Sequence, residues 1–232
     1  LDANEGDEII LAPGHYVGPV RLEVPLTLTG EPGAMIDAGG TGSVVTVDAP
    51  DVTVQNLTLI NSGRIHEPID AGIKLTQKAR RAKVLNNDLK ANLVGIDIHG
   101  AADARVIGNV IEGRTGHRMN QRGNGIYVWN APGAEVIGND IRWGRDGIFV
   151  NTSNHNRFVG NRFRDLRFAV HYMYVNDSEV AGNLSIGNHL GYAIMYSRNV
   201  RVTGNVSVGD RDHGVMLNYT NESHVSGNYV RE

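Results

Sequence analysis

The feature that most constrains this chain is an internal repeat of 22 residues. In six copies an apolar residue, any residue, a glycine and an asparagine follow one another, and successive asparagines are 30, 22, 22, 22 and 23 residues apart. A fixed period of this length indicates an array in which each repeat stacks on the one before. The six asparagines are Asn109, Asn139, Asn161, Asn183, Asn205 and Asn228, and two degenerate copies end at Asn56 and Asn87.

Each repeat also carries a short strand pattern ahead of its asparagine. Apolar residues alternate with other residues after a glycine or alanine, as in Gly95, Ile96 and Ile98, and this period of two is typical of a β-strand. A unit of 22 residues lacks room for a helix as well, but it fits one coil of two or three stacked strands. We therefore predict an all-β fold, a right-handed parallel β-helix in which the repeated asparagines form a hydrogen-bonded ladder.

The repeat extends over most of the chain, so we predict one β-helix domain spanning residues 1–232. Residues 1–60 are less regular and are expected to form capping coils, and residues 61–232 to form the regular coils. The chain stops in a strand-like segment at Glu232, which favours a piece of a longer protein. Insertions lie at about 61–70 and 112–122, and the second, which is polar, is predicted to project from the solenoid on a side where binding often occurs.

Composition excludes several classes of function. A net charge of −3, from 22 Lys and Arg against 25 Asp and Glu, argues against a nucleic-acid binder, which needs a positive field to attract phosphate. The chain has no cysteine, so neither a disulfide nor a thiolate metal site can form. It also has no apolar run of membrane-spanning length, so we predict no direct membrane insertion.

Strand alternation separates the residues that point into the solenoid from those that point out. Along the chain the outward residues change from charged, through aromatic, to methionine and histidine. The successive outward pairs are Lys74 and Thr76, Asp97 and His99, Tyr127 and Trp129, Phe149 and Asn151, His171 and Met173, Ala193 and Met195, and Met216 and Asn218.

Outward methionine suggests a metal site, because nothing on a solvated sheet face favours it over a polar residue. Met173 and Met195 are 22 residues apart and so occupy the same position in adjacent coils, with His171 beside Met173. Met216 lies two coils beyond His171 in the same column. Thioethers with an imidazole select Cu(I) over Mg²⁺ or Ca²⁺. The alternative is that these methionines pack under a lid or against a partner chain.

Three further groups remain open to interpretation. His189 and His213 flank the same strands and could complete or relay the metal site. Tyr174, Tyr196 and Tyr219 form a column that we predict to be stacked inward, with a ligand surface as the alternative. The outward aromatic residues could form a sugar platform, but a polysaccharide-active enzyme needs paired carboxylates. The candidates are Asp146, Asp210 and Asp212, for which turn chemistry is the simpler explanation.

The C-terminal half resembles the NosD family, a family of periplasmic β-helix proteins required for maturation of nitrous oxide reductase. The resemblance rests on Tyr-Met-Tyr at residues 172–174, Met-Tyr-Ser-Arg-Asn at residues 195–199 and His-Gly-Val-Met-Leu-Asn-Tyr at residues 213–219, of which the last two are the more specific. The resemblance extends over nearly the whole chain, including the opening Gly-His-Tyr-Val-Gly-Pro at residues 14–19.

The resemblance implies an exported, non-enzymatic protein that carries Cu(I) as transient cargo while the copper–sulfur site of the reductase is assembled. The partners that it implies are an ABC transporter with an ATPase and a membrane subunit, a copper-chaperone lipoprotein, and the reductase. A polysaccharide-binding or polysaccharide-active lyase, epimerase or hydrolase is the alternative function, and a purely structural interaction module is a third.

Overall fold

The computed structural model describes residues 3–232, which form 29 strands, all paired in parallel, in three long sheets. Successive strands pass from the first sheet to the second and third and then return one level higher, so the chain is a parallel β-solenoid. Each coil is built from three strands of three to nine residues joined by short turns. Leu1 and Asp2 lie outside the described residues.

Sheet 1 contains ten strands, in the order β1 (Glu8–Leu11), β4 (Thr27–Gly30), β7 (Thr53–Gln55), β10 (Lys83–Leu85), β13 (Arg105–Ile107), β16 (Glu135–Ile137), β19 (Arg157–Val159), β22 (Ser178–Ala181), β25 (Val200–Thr203) and β28 (His224–Ser226). Sheet 2 also contains ten, in the order β2 (Gly14–Val17), β5 (Ala34–Asp37), β8 (Thr58–Ile60), β11 (Asp88–Lys90), β14 (Val110–Glu112), β17 (Asp140–Arg142), β20 (Arg162–Arg164), β23 (Leu184–Ile186), β26 (Val206–Val208) and β29 (Tyr229–Arg231).

Sheet 3 contains nine strands and carries the candidate functional residues. Its order is β3 (Val20–Leu22), β6 (Val45–Val47), β9 (Ala71–Leu75), β12 (Val94–His99), β15 (Ile126–Trp129), β18 (Asp146–Asn151), β21 (Phe168–Met173), β24 (Leu190–Arg198) and β27 (His213–Asn221). Within residues 3–232 the one helical segment is a 3₁₀ turn, Met119–Gln121. No helix in this part of the chain is long and apolar enough to span a membrane.

The core is a set of columns of aliphatic and aromatic side chains inside the solenoid. The inward residues of sheet 3, such as Ile126, Ile148 and Val170, are fully buried, as the alternation predicts. In the C-terminal half the columns become aromatic, and Phe158 meets Tyr172 edge to face with ring centroids 5.5 Å apart. Parallel strands buried on one face are stable only when stacked on neighbours, which explains why the apolar columns of sheet 3 run through every coil.

The predicted asparagine ladder is present between sheet 1 and sheet 2. Each asparagine donates from its side-chain amide to the side-chain oxygen of the asparagine in the next coil, at 2.9 Å for Asn139 and Asn161. Asn87 is the first member, donating to Asn109 at 3.1 Å. Asn56 is not a member, because it occupies the left-handed position (φ 57°) filled by glycine in later coils, and Leu57 takes the ladder position.

The two insertions lie at the same corner of the solenoid. Residues 61–70 connect β8 to β9, and residues 113–125 connect β14 to β15. Arg114 joins them by donating to the carbonyl oxygens of Ser62 and Gly63 at 2.7 and 2.8 Å. The insertions therefore border the middle coils, away from the methionine strands.

Candidate metal centre

The outer face of sheet 3 presents two neighbouring columns in its last coils. Backbone pairing aligns Phe149, His171, Ala193 and Met216 in one column, and Asn151, Met173, Met195 and Asn218 in the other. Met173 and Met195 are direct neighbours across β21 and β24, about 4.8 Å apart at the strand spacing. The sequence-based register of the histidine and methionines is therefore confirmed.

The three methionines belong to the surface rather than to the core. Met173, Met195 and Met216 are half-buried, whereas the inward residues beside them, Tyr172 and Ile194, are fully buried. Ala193 also points outward, yet it is fully buried. The larger side chains around Ala193 therefore cover its methyl group.

His171 is held in one orientation by a buried carboxylate. Its Nδ1 lies 3.1 Å from Oδ2 of Asp146, and only 12% of its side chain is exposed. The rings of Phe149 and Phe168 flank the imidazole at 4.8 and 4.9 Å between centroids. An ionised carboxylate can only accept, so Nδ1 carries the hydrogen and Nε2 keeps the free lone pair that a metal ion needs.

Asp146 is itself anchored by Arg167. The guanidinium donates to both carboxylate oxygens, at 2.7 and 2.6 Å, and the carboxyl group is 1% exposed. Burial acts to raise the pKa of Asp146, but the hydrogen bonds from His171 and Arg167 outweigh it, so the pKa lies below its ordinary value. Asp146 thus stays ionised and fixes His171 from behind, as carboxylates commonly do for metal-binding histidines.

The sequence suggested a catalytic carboxylate or turn chemistry for Asp146 and gave neither Asp146 nor Arg167 a role in positioning His171. Turn chemistry was the wrong explanation for Asp146. Asp146 pairs with Phe168 in the strand register, three positions before the column of His171. Nothing in the 22-residue repeat marks that contact. The carboxylate of Asp210 is held by the preceding coil, where it accepts from Ser185 Oγ at 2.6 Å and from the backbone amide of Asn188 at 2.8 Å.

The other two predicted ligands are not brought to the methionine pair. His189 lies at the turn before β24, with Nε2 3.3 Å from Nη1 of Arg211. His213 is exposed at the start of β27, three residues before Met216, which is about 10 Å along a strand. A direct ligand role for either would require rearrangement, and their relay role stays a prediction.

The tyrosine column was predicted to point inward, and this is wrong. Tyr174, Tyr196 and Tyr219 are 52%, 41% and 72% exposed, and each has a positive φ, between 49° and 57°. The left-handed backbone at these positions interrupts the extended chain, so the alternation of the strand no longer applies.

Within residues 3–232, no group of three His, Asp or Glu side chains has an arrangement that could hold a metal ion. The donors that the structure gathers on the outer face of sheet 3 are instead two neighbouring thioethers and one oriented imidazole. Such a set suits a soft, monovalent ion and not a hard divalent cation.

Comparison with known proteins assigns the chain to a family. Residues 107–232 match the profile of the family described as periplasmic copper-binding protein (NosD). Proteins from Stutzerimonas stutzeri and Pseudomonas aeruginosa, both named probable ABC transporter binding protein NosD, are 39% and 40% identical over 137 residues. The matched part is 59% of this chain but only 31% and 32% of those relatives.

Solved structures similar to the chain confirm the solenoid. An alginate lyase from Paenibacillus has a TM-score of 0.64 at 17% identity, covering 100% of this chain and 93% of its own. The A-module of the mannuronan C-5 epimerase AlgE6 from Azotobacter vinelandii has a TM-score of 0.62 at 11% identity, covering 97% and 91%. The Dettilon tailspike protein gives 0.68 at 15% identity, covering 97% and 54%.

At these identities the structural similarity establishes the fold alone. The sequence match, by contrast, covers more than half of the chain and includes every strand that carries the histidine and methionine columns. The chain therefore belongs to the NosD family of periplasmic copper-binding proteins.

Proposed function

We propose that this chain receives Cu(I) in the periplasm on Met173, Met195 and His171 and delivers it during assembly of the copper–sulfur site of nitrous oxide reductase. The observation that carries the proposal is the pairing of Met173 with Met195 on adjacent strands, with His171 held by Asp146 in the neighbouring column. Two thioether sulfurs and one imidazole nitrogen form a neutral donor set, which is the kind that binds Cu(I) in preference to Mg²⁺ or Ca²⁺.

Met216 is an additional donor in this proposal, on the β27 side of the site. It follows Ala193 in the column of His171, so its Cα lies about 10 Å from that of His171, two strand spacings away. Ala193 carries only a methyl group between them. The flexible side chain of Met216 can therefore extend over Ala193 toward the bound ion, or release it, without moving the backbone.

The partners follow from the family. Relatives are named as ABC transporter binding proteins, and we propose that this chain works with such a transporter, comprising an ATPase and a membrane subunit. A copper-chaperone lipoprotein would supply the ion and the reductase would accept it. Half-buried thioethers suit such a transfer because an incoming ligand can reach the metal while the old ligands are still bound.

A polysaccharide-active enzyme is the poorer explanation of the same face. Among the outward pairs from Lys74 and Thr76 to Met216 and Asn218, Asp97 is the one carboxylate, and it is fully buried, out of reach of a polymer. Incubation with uronate-containing polymers is expected to produce neither unsaturated nor reducing ends. Turnover that survives replacement of the methionines would establish the enzyme instead.

Cu(I) titration under anaerobic conditions against a chromogenic chelator tests the proposal. Replacing Met173 and Met195 together by leucine keeps the side-chain volume and removes both sulfurs, so the affinity is expected to fall by at least about tenfold. Met35→Leu is the matched control, since Met35 is also half-buried but lies on β5 in sheet 2. Equal affinities in the double variant and the wild type would refute the site.

A further inference from the structure

Three tyrosines form an exposed stack beside the methionines. The rings of Tyr174 and Tyr196 lie 5.2 Å apart at 22°, and those of Tyr196 and Tyr219 lie 5.2 Å apart at 9°. Tyr174 directly follows Met173, and Tyr196 directly follows Met195. We call these three residues the tyrosine stack.

The backbone at this position gives no reason for tyrosine. In the three preceding coils the equivalent residues are Gly100, Asn130 and Thr152, all with positive φ like the tyrosines. Glycine and asparagine adopt this left-handed conformation readily, whereas a threonine or a tyrosine is strained there. The tyrosines also remain 41% to 72% exposed, so burial does not offset the strain. Strain kept at an exposed position in three successive coils points to a binding role.

The geometry of the stack indicates what kind of molecule binds. Tyr196 has each ring face against a neighbouring ring, so the stack turns ring edges to solvent. A sugar packs on the face of an aromatic ring, and those faces are largely occupied here. Tyrosine edges beside an arginine are instead typical of the centres of protein interfaces. The stack borders a shallow depression of about 270 Å³, lined also by Asn176, Arg198 and Asn221.

We propose that the tyrosine stack is the docking surface for a protein that exchanges Cu(I) with Met173 and Met195. The inference rests on the proposed function, because it is the adjacency of the stack to the two thioethers that selects a copper-carrying protein as the occupant. A partner bound on the stack would contact Tyr174 and Tyr196, which directly follow Met173 and Met195 in the sequence. Docking there would bring donor and acceptor ligands together around one ion, so transfer needs no free copper.

Replacing all three tyrosines by asparagine tests the docking surface without disturbing the fold, because Asn130 already occupies this position with φ 46°. Thr152→Asn is the matched control in the coil before the stack. The probe is the soluble domain of the copper-chaperone lipoprotein loaded with Cu(I). The triple variant is expected to bind it at least about tenfold more weakly and to accept copper from it more slowly, while the control matches the wild type.

Unchanged binding and transfer in the triple variant would overturn the proposal. The proposal would also be overturned if the triple variant kept chaperone binding but lost alginate-oligosaccharide binding or self-association. Those results would assign the stack to a sugar or to a second copy of the chain. In the chelator assay, the affinity of the triple variant for Cu(I) is expected to stay within about twofold of that of the wild type. If the stack proves necessary for chaperone binding but Met173 and Met195 do not bind Cu(I), docking stands and the proposed metal site fails.

Discussion

At the scale of single residues, Asp146 decides which nitrogen of His171 can meet a metal ion. Its carboxylate accepts from Nδ1, so Nε2 is the donor that remains, and the two flanking phenylalanine rings keep the imidazole plane fixed. A histidine fixed in this way loses little freedom when it binds an ion. The strength of the proposed site would therefore depend on a residue that does not touch the metal.

Asp146→Asn is expected to weaken Cu(I) binding by about tenfold or more, the usual cost of removing such a supporting contact. The amide of asparagine can donate to Nδ1, which would place the hydrogen on Nε2 and block the metal donor. Asp48→Asn is the matched control, because Asp48 also accepts from an arginine, Arg21 at 2.6 Å, but lies far from the methionines on the β6 side of sheet 3.

Chelator competition measures the affinity, and nitrogen-15 NMR of the imidazole reports which ring nitrogen carries the hydrogen. A variant that keeps the wild-type affinity, or one that loses affinity while Nδ1 remains protonated, would contradict the positioning role of Asp146.

The sequence predicted single residues well only where the backbone stays extended. Met173 and Met195 were correctly placed because alternation holds along β21 and β24. The prediction failed one residue later, at Tyr174 and Tyr196, since a left-handed residue turns the side chain away from the expected direction. The contact of Asp146 with His171 was missed because the two residues lie in different coils and at different register positions.

At the scale of elements, the asparagine ladder ties each coil to the next. The Oδ1 atom of Asn161 accepts from both the backbone and the side-chain amide of Asn139, at 2.9 Å each, and its own amide donates to the Val136 carbonyl at 2.9 Å. The spacing of 22 residues was enough to predict this ladder, because identical side chains at identical positions must stack. The sequence could not show that Leu57 stands in the ladder position of the coil before Asn87, because the neighbouring Asn56 resembles the consensus asparagine.

Asn161→Ala is expected to lower the free energy of unfolding by about 3 to 5 kcal/mol, because it leaves several buried polar groups without a partner at about 1 to 3 kcal/mol each. Asn228→Ala is the matched control at the last member of the ladder. Asn228 is half-buried and its neighbours can reach water, so its loss is expected to cost clearly less. Urea denaturation of both variants measures the difference, and equal costs would show that burial does not set the strength of the ladder.

At the scale of the whole molecule, the solenoid separates a constant scaffold from a variable face. The inward columns of sheet 3 stay apolar through all coils, whereas its outer face passes from Lys74 and Asp97 to the methionines. Each coil contacts only its neighbours, so stability is close to a sum over coils and interfaces. The proposed copper site spans β21, β24 and β27, and a bound ion would therefore link three consecutive coils.

Bound Cu(I) is accordingly expected to protect these three strands selectively from amide hydrogen exchange. An ion at 100 times its dissociation constant stabilises the bound state by about 2.7 kcal/mol, which slows exchange through opening of these coils by about 100-fold. Strands β3 and β6 serve as the internal control, since coils so far along the array share no contact with the site. Exchange mass spectrometry with and without Cu(I) measures the effect, and the variant with leucine at positions 173 and 195 should lose it. Protection spread evenly over all coils would show that copper binds elsewhere or that the array unfolds as one unit.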